Sequence, residues 1–82
     1  MSDYRIPRFV ELPFQYTVKV VLSDPTDTKL EGEDGTWDVE TRTIHINRKL
    51  PGKRRRYVLV HELGHAWLDF QHFCMDDNVA RN

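Results

Sequence analysis

From Lys53 to about Phe73 no proline interrupts the chain, and Leu59, Leu63, Ala66 and Phe70 recur at steps of four, three and four. That spacing predicts one helix with a narrow apolar stripe. Its opposite flank is mixed: His61, His65 and His72 cluster there beside Val58 and Leu68. A helix apolar on one side and apolar with histidines on the other asks for burial on both. It suits the floor of a cleft, and the rest of the chain has to supply the walls.

Those walls come from a short chain. Eighty-two residues are read as one domain, residues 1–82, and a chain of this size buries only roughly 60–65% of its unfolded surface. Residues 1–13, with two prolines and two arginines, read as an irregular arm with at most a helical turn. Phe14 to Leu22, FQYTVKVVL, is β-branched and aromatic and reads as a strand. SDPTDTKLEGEDG, rich in Asp, Pro, Thr and Gly, reads as a loop. TWDVETRTIHIN then gives two short strands around a tight turn at Glu40 to Arg42, each with one apolar face. Pro51-Gly52 stops the second strand. MDDNVARN reads as the start of another turn or short helix. The expected architecture is α+β: a small three-stranded, mainly antiparallel sheet, with an edge-strand hairpin, packed on one long helix.

Composition removes several classes of function. A formal net charge of −1 gives no global pull toward nucleic acid or an anionic membrane. The basic run Lys53 to Arg56 is read as a solvated helix start before it is read as a phosphate contact. One cysteine, Cys74, leaves no internal disulfide and suits a reducing compartment. The N-terminal residues lack a secretory pattern, and no apolar run approaches the ~20 residues of a membrane span. A cytoplasmic protein is expected.

The chemistry lies in HELGH, His61 to His65. On a helix, residues i and i+4 are offset by ~6 Å along the axis and ~40° around it. Two imidazoles so placed can converge on one zinc ion at ~2.0–2.1 Å from each nitrogen. Glu62, about 100° around from His61, can instead take a proton from water held at the metal, which would then attack a carbonyl. A bland competitor is a helix that carries these residues for solubility. The pattern sits inside YVLV…AWLDF, however, where burying ionisable groups without partners is costly. Gly64, unfavourable in a helix by ~1 kcal/mol, suggests a close approach at that point.

GTWDVETRTIHIN, a break, and RRRYVLVHELGHAWLDF together resemble the ImmA/IrrE metallopeptidase family across roughly Gly35 to Ala80. The resemblance implies a minimal gluzincin-like fold with a Gly-x-x-Asp hairpin opening. It implies substrate backbone pairing to an edge strand, here Thr43 to Asn47. It also implies protein or peptide substrates, among them regulatory proteins, cleaved with zinc as cofactor.

The third zinc ligand is the open question. Asp69 and His72 lie about 12 and 16 Å beyond His61 along a continuous helix, too far to share its ion. The resemblance implies an acidic ligand from the following helix. Asp77, with Ala80 three residues on, fits best, ahead of Asp76, His72 and Cys74. The expected site is His61, His65 and Asp77 as ligands with Glu62 as general base. Tyr57 and His72 are candidates to polarise the substrate carbonyl. His45 is expected to face water rather than the cleft, and Trp37 and Trp67 to sit in the core. A second functional class stays in view: a weak or inactive peptidase-like module that binds a regulatory protein.

Overall fold

The computed structural model describes residues 6–81, with side chains from Ile6 to His72. Strands β1 (Phe9–Leu12) and β2 (Tyr16–Ser23) are followed by a 3-10 turn at Thr28–Leu30. Then come β3 (Gly35–Asp38), β4 (Thr43–Asn47) and a single helix, α1 (Gly52–Arg81). The strands form one sheet in the order β1-β2-β4-β3. The outer pairs are antiparallel, and the central pair, β2 with β4, is parallel.

The α+β class therefore holds, with four strands in place of three. The extra strand, β1, lies in the arm expected to be irregular. Pro7 and Pro13 flank it, and its extended form comes from pairing with β2, from Phe9 against Lys19 to Leu12 against Tyr16. Its hairpin turn is unusual: Phe14 and Gln15 both adopt φ of 63°, a left-handed region that non-glycine residues seldom enter. Such a pair of positive φ values matches the twist of a tight hairpin.

The expected edge strand, Thr43 to Asn47, is interior. It hydrogen-bonds to β2 on one side and β3 on the other. Both of its faces are covered. Ile44 and Ile46 point into the main core, while Thr43 and His45 are buried on the reverse face, where the 3-10 turn with fully buried Leu30 packs on β3 and β4. Of this hairpin, the strand at the margin of the sheet is β3.

Helix α1 lies over β3 and β4. Val58, Leu59, Ala66 and Phe70 join Tyr16, Val18, Val20, Ile44 and Ile46 in one core. Phe70 is its aromatic hub, meeting Tyr16 edge-on at 5.2 Å between ring centroids and Trp67 at 5.1 Å. Trp67 itself is exposed rather than in the core. The helix starts on the Pro51 carbonyl, which accepts from the Arg55 N–H at 2.9 Å. Its basic first turn opposes the helix dipole, and Arg54 is held by Asp34 at 3.1 Å.

Two expectations for the helix change. It does not end near Phe73 but runs to Arg81 as one element, so the segment with Asp76 and Asp77 continues α1 instead of starting a new helix. Burial is also one-sided: Tyr57, Val60 and Leu68 are 61, 62 and 55% exposed. Among the described residues no helix is long and apolar enough to cross a membrane.

Candidate active site

The site is set by how closely α1 approaches β3. A Cβ on Gly35 would stand 2.4 Å from Val58 Cγ1, 3.2 Å from the His45 carbonyl oxygen and 3.5 Å from Glu62 Cγ. Only a residue without a side chain lets the helix settle there. Gly64, by contrast, has nothing within 4 Å of the same position. The close approach inferred from the glycine in the motif belongs to Gly35. Two residues on, the Trp37 indole N–H donates to Asp69 Oδ2 and ties β3 to the next stretch of the helix.

This approach seats Glu62 on the buried side of α1. It is 9% exposed, in line with Leu59 and Ala66, while His61 and His65 stand exposed beside it. The two imidazole rings meet edge-on, 5.1 Å apart and 78° inclined, as residues four apart on a helix can. Burial pushes the Glu62 carboxyl above the usual carboxylate range. His65 and His61 pull in the other direction, and Glu33 adds to the rise. A carboxyl so placed keeps its proton more readily than a surface glutamate.

Two hollows open on either side of Glu62. One, of about 360 Å³, is lined by Gly32 to Gly35, Arg54, Tyr57, Val58, His61 and Glu62. The other, of about 480 Å³, is lined by Trp37, Glu62, His65, Leu68, Asp69 and His72. Together they form a groove between α1 and β3 with Glu62 at its midpoint. The outer edge of β3 runs along it. The Asn47 N–H bonds the Asp34 carbonyl at 2.9 Å, and Gly35 pairs with Ile46, Thr36 with His45 and Trp37 with Ile44. Antiparallel alternation then turns the N–H and C=O of Gly35 and Trp37 outward, away from β4.

A conserved-domain comparison fits this arrangement. The family model Peptidase_M78, described as the IrrE N-terminal-like domain, matches residues 15–79. The chain belongs to this IrrE-like peptidase family. No match was found among curated proteins or among solved structures. Membership in the family brings protease-type chemistry into consideration for the groove, and the match spans β2, β3, β4 and the HELGH segment together.

The expected site residues fare differently. His61, Glu62 and His65 are brought together at the groove. Two imidazoles are donors that suit zinc, so His61 and His65 fit as a partial site. Among the described residues no group of three His, Cys, Asp or Glu side chains could hold an ion. The side chains of Cys74, Asp76 and Asp77 lie outside the described residues. Along the continuous α1, Asp77 follows His65 by about 18 Å of axial rise. Asp69 is engaged by Trp37, and His72 lines the same hollow as His65.

Three residues read differently from the sequence. His45 is buried, not solvated, with Nδ1 3.4 Å from Ser23 Oγ. It lies on the reverse face of the sheet, so it takes no part in the groove. Trp37 is half-buried and lines the groove as well as the core. Gly35 is the residue that sequence reasoning passed over. Its only signal was position, at the opening of the Gly-x-x-Asp hairpin.

Proposed function

We propose that the chain is a zinc-dependent peptidase in which His61 and His65 hold the ion and Glu62 is the general base; Asp77 completes the ligand set only if α1, continuous to Arg81 here, breaks between His65 and Asp77. The observation that supports this most directly is the seat of Glu62. It is nine-tenths buried, flanked by two exposed imidazoles, and opens on both halves of a groove that follows a free strand edge.

Zinc, when bound, would polarise the scissile carbonyl and make the attacking water more acidic. The other roles fall to this chain's residues. Glu62 takes the proton from the attacking water and passes it to the leaving amine. Its burial raises its proton affinity toward the range useful to a base. Gly35 and Trp37 hold the peptide backbone along the outer edge of β3. Tyr57, in one hollow, or His72, in the other, would donate to the carbonyl oxygen.

Native mass spectrometry of the purified protein tests the metal assignment. One zinc per chain is expected, and its loss in His65→Ala. A folded wild-type protein that excludes added zinc would overturn the proposal.

One observation favours a second reading, a regulatory-protein-binding module with little or no hydrolysis. The unbroken course of α1 to Arg81 leaves Asp77 far from His65 along the axis. Full biological effect in Glu62→Gln would support this second reading over the first.

A further inference from the structure

The groove has a direction and a charge. β3 and α1 run the same way along it: Gly35 lies against Val58 and Glu62, and Trp37 bonds Asp69 further along the helix. A segment that adds to β3 in the antiparallel sense, the more stable pairing per residue, enters over Trp37 and leaves over Gly35. Its residues on the N-terminal side of Glu62 meet Trp37 and Leu68. Those on the C-terminal side meet the hollow with Glu33, Asp34, Arg54 and Tyr57.

This second hollow is acidic in a particular way. Asp34 and Arg54 satisfy one another at 3.1 Å, and the Arg54 guanidinium lies over the Tyr57 ring at 5.1 Å. Glu33 is exposed at the mouth, and among the described residues no hydrogen bond or ion pair engages its carboxylate. Glu62, nine-tenths buried, opens into the same space. The hollow thus holds an excess of acceptors and one unmatched surface carboxylate. A lysine or arginine side chain supplies the partner that Glu33 lacks among the described residues.

We infer that the groove selects peptide segments which add as a fifth strand on β3 and place a basic side chain, on the C-terminal side of the bond over Glu62, in the hollow beside Glu33. The inference rests on the groove being a peptide site, and it holds whether the bound segment is cleaved or only held. An apolar side chain on the N-terminal side is accommodated by Trp37 and Leu68. Acidic segments are repelled by Glu33.

The test uses the full chain as Glu62→Gln, labelled with ¹⁵N, and capped eight-residue peptides that differ at one position, lysine against glutamate. Binding is followed by fluorescence anisotropy, and the amides of Gly35 and Trp37 report strand addition. The lysine peptide is expected to bind about tenfold tighter at low salt, the sum of one attraction gained and one repulsion lost at a partly exposed site. Salt should shrink the difference, and Glu33→Lys should reverse the order. Wild-type protein at 4 °C with the same peptides serves if the Gln variant fails to fold.

Movement of the Gly35 and Trp37 amides without any charge preference would overturn this inference and leave the peptide groove standing. No movement with any peptide would overturn both. Preference that survives Glu33→Lys unchanged would show that the basic side chain sits elsewhere, and that too would overturn it.

Discussion

The sheet has two edges, alike in length and pairing sense and unlike in what lies beside them. β1 and β3 are four residues each and both pair antiparallel with an inner strand. Beside β1 is a mainly apolar hollow of about 510 Å³, lined by Ile6, Phe9, Val20 and Leu22 with Arg8 and Lys19. Beside β3 the hollows carry Glu33, Asp34, Glu62, Asp69 and three histidines. Both edges offer unpaired backbone groups to an incoming strand. Only β3 has a helix with titratable groups laid along it, and only β3 has a glycine that lets the helix come close. A free edge can hold a peptide, whereas the neighbouring helix decides whether anything can be done to it.

The comparison breaks most completely at Glu62. If β3 is the working edge, Glu62→Gln should lower peptide turnover by about 10²–10⁴-fold, the usual share of a general base. Zinc content and peptide binding should persist. The substitution also removes a buried carboxyl held at a cost, so thermal stability should stay level or rise. Turnover unchanged in the variant would strip Glu62 of its role as base.

Next in size is a contrast between two glycines. Gly35→Ala puts a methyl group 2.4 Å from Val58 Cγ1 and 3.2 Å from the His45 carbonyl oxygen. Overpacking of this kind costs about 1–3 kcal/mol, which lowers the melting temperature by roughly 4–8 °C per kcal/mol in a domain of this size. Gly64→Ala meets nothing within 4 Å and should gain about 0.5–1 kcal/mol from helix propensity. Differential scanning fluorimetry on the two variants reads the difference directly. Opposite signs are expected, and equal effects would mean that the helix is not seated on Gly35.

The same contrast shows which parts of the molecule could be read from the sequence. HELGH on a helix is a local pattern, its period contained in a few turns, and the helix stands over these residues as expected. The seat of Glu62 is not local. It depends on Gly35, from a different element, and no periodicity within the helix points to that contact. The hairpin of β3 and β4 was legible from alternating residues. Which of its strands lies outside was not, because that is decided by parallel docking of β2 onto β4. β1 escaped for a related reason: Arg8 to Leu12 between two prolines has little strand character until β2 supplies a partner. Trp37 reads as a core residue and Asp69 as a carboxylate too far along the helix to share an ion with His61, and their hydrogen bond joins them only in the folded chain.

A smaller effect separates the edges from the side of β1. Its turn holds Phe14 and Gln15 at positive φ, a conformation that asparagine and glycine adopt readily. Phe14 also stacks on Phe70 at 6.4 Å between centroids, and that contact is lost on replacement. The double substitution Phe14→Asn, Gln15→Gly should relieve more than it loses, for a net gain of about 1 kcal/mol. Urea denaturation would register it as a higher midpoint with an unchanged slope. Peptide binding at β3 should not respond, since the turn serves the opposite edge.

The smallest expected effect comes from His45, under neither edge, on the reverse face of the sheet. Burial holds its pKa below the ordinary 6.5, and Lys29 lowers it further, while Asp27 and Asp38 act in the opposite sense. Glu31 and Glu40 line the same hollow. Above pH 6.5 the ring is neutral in both folded and unfolded chains, so it contributes nothing to pH dependence. As the pH falls below 6.5 the unfolded chain takes up this proton before the folded one, and stability declines until the folded value is reached. Chemical denaturation at pH 7.5, 6.5 and 5.5 should show that decline, and His45→Gln should flatten it while leaving the groove intact. Retention of the full slope in His45→Gln would remove His45 as its source, and the reverse face would then be a passive support for β3.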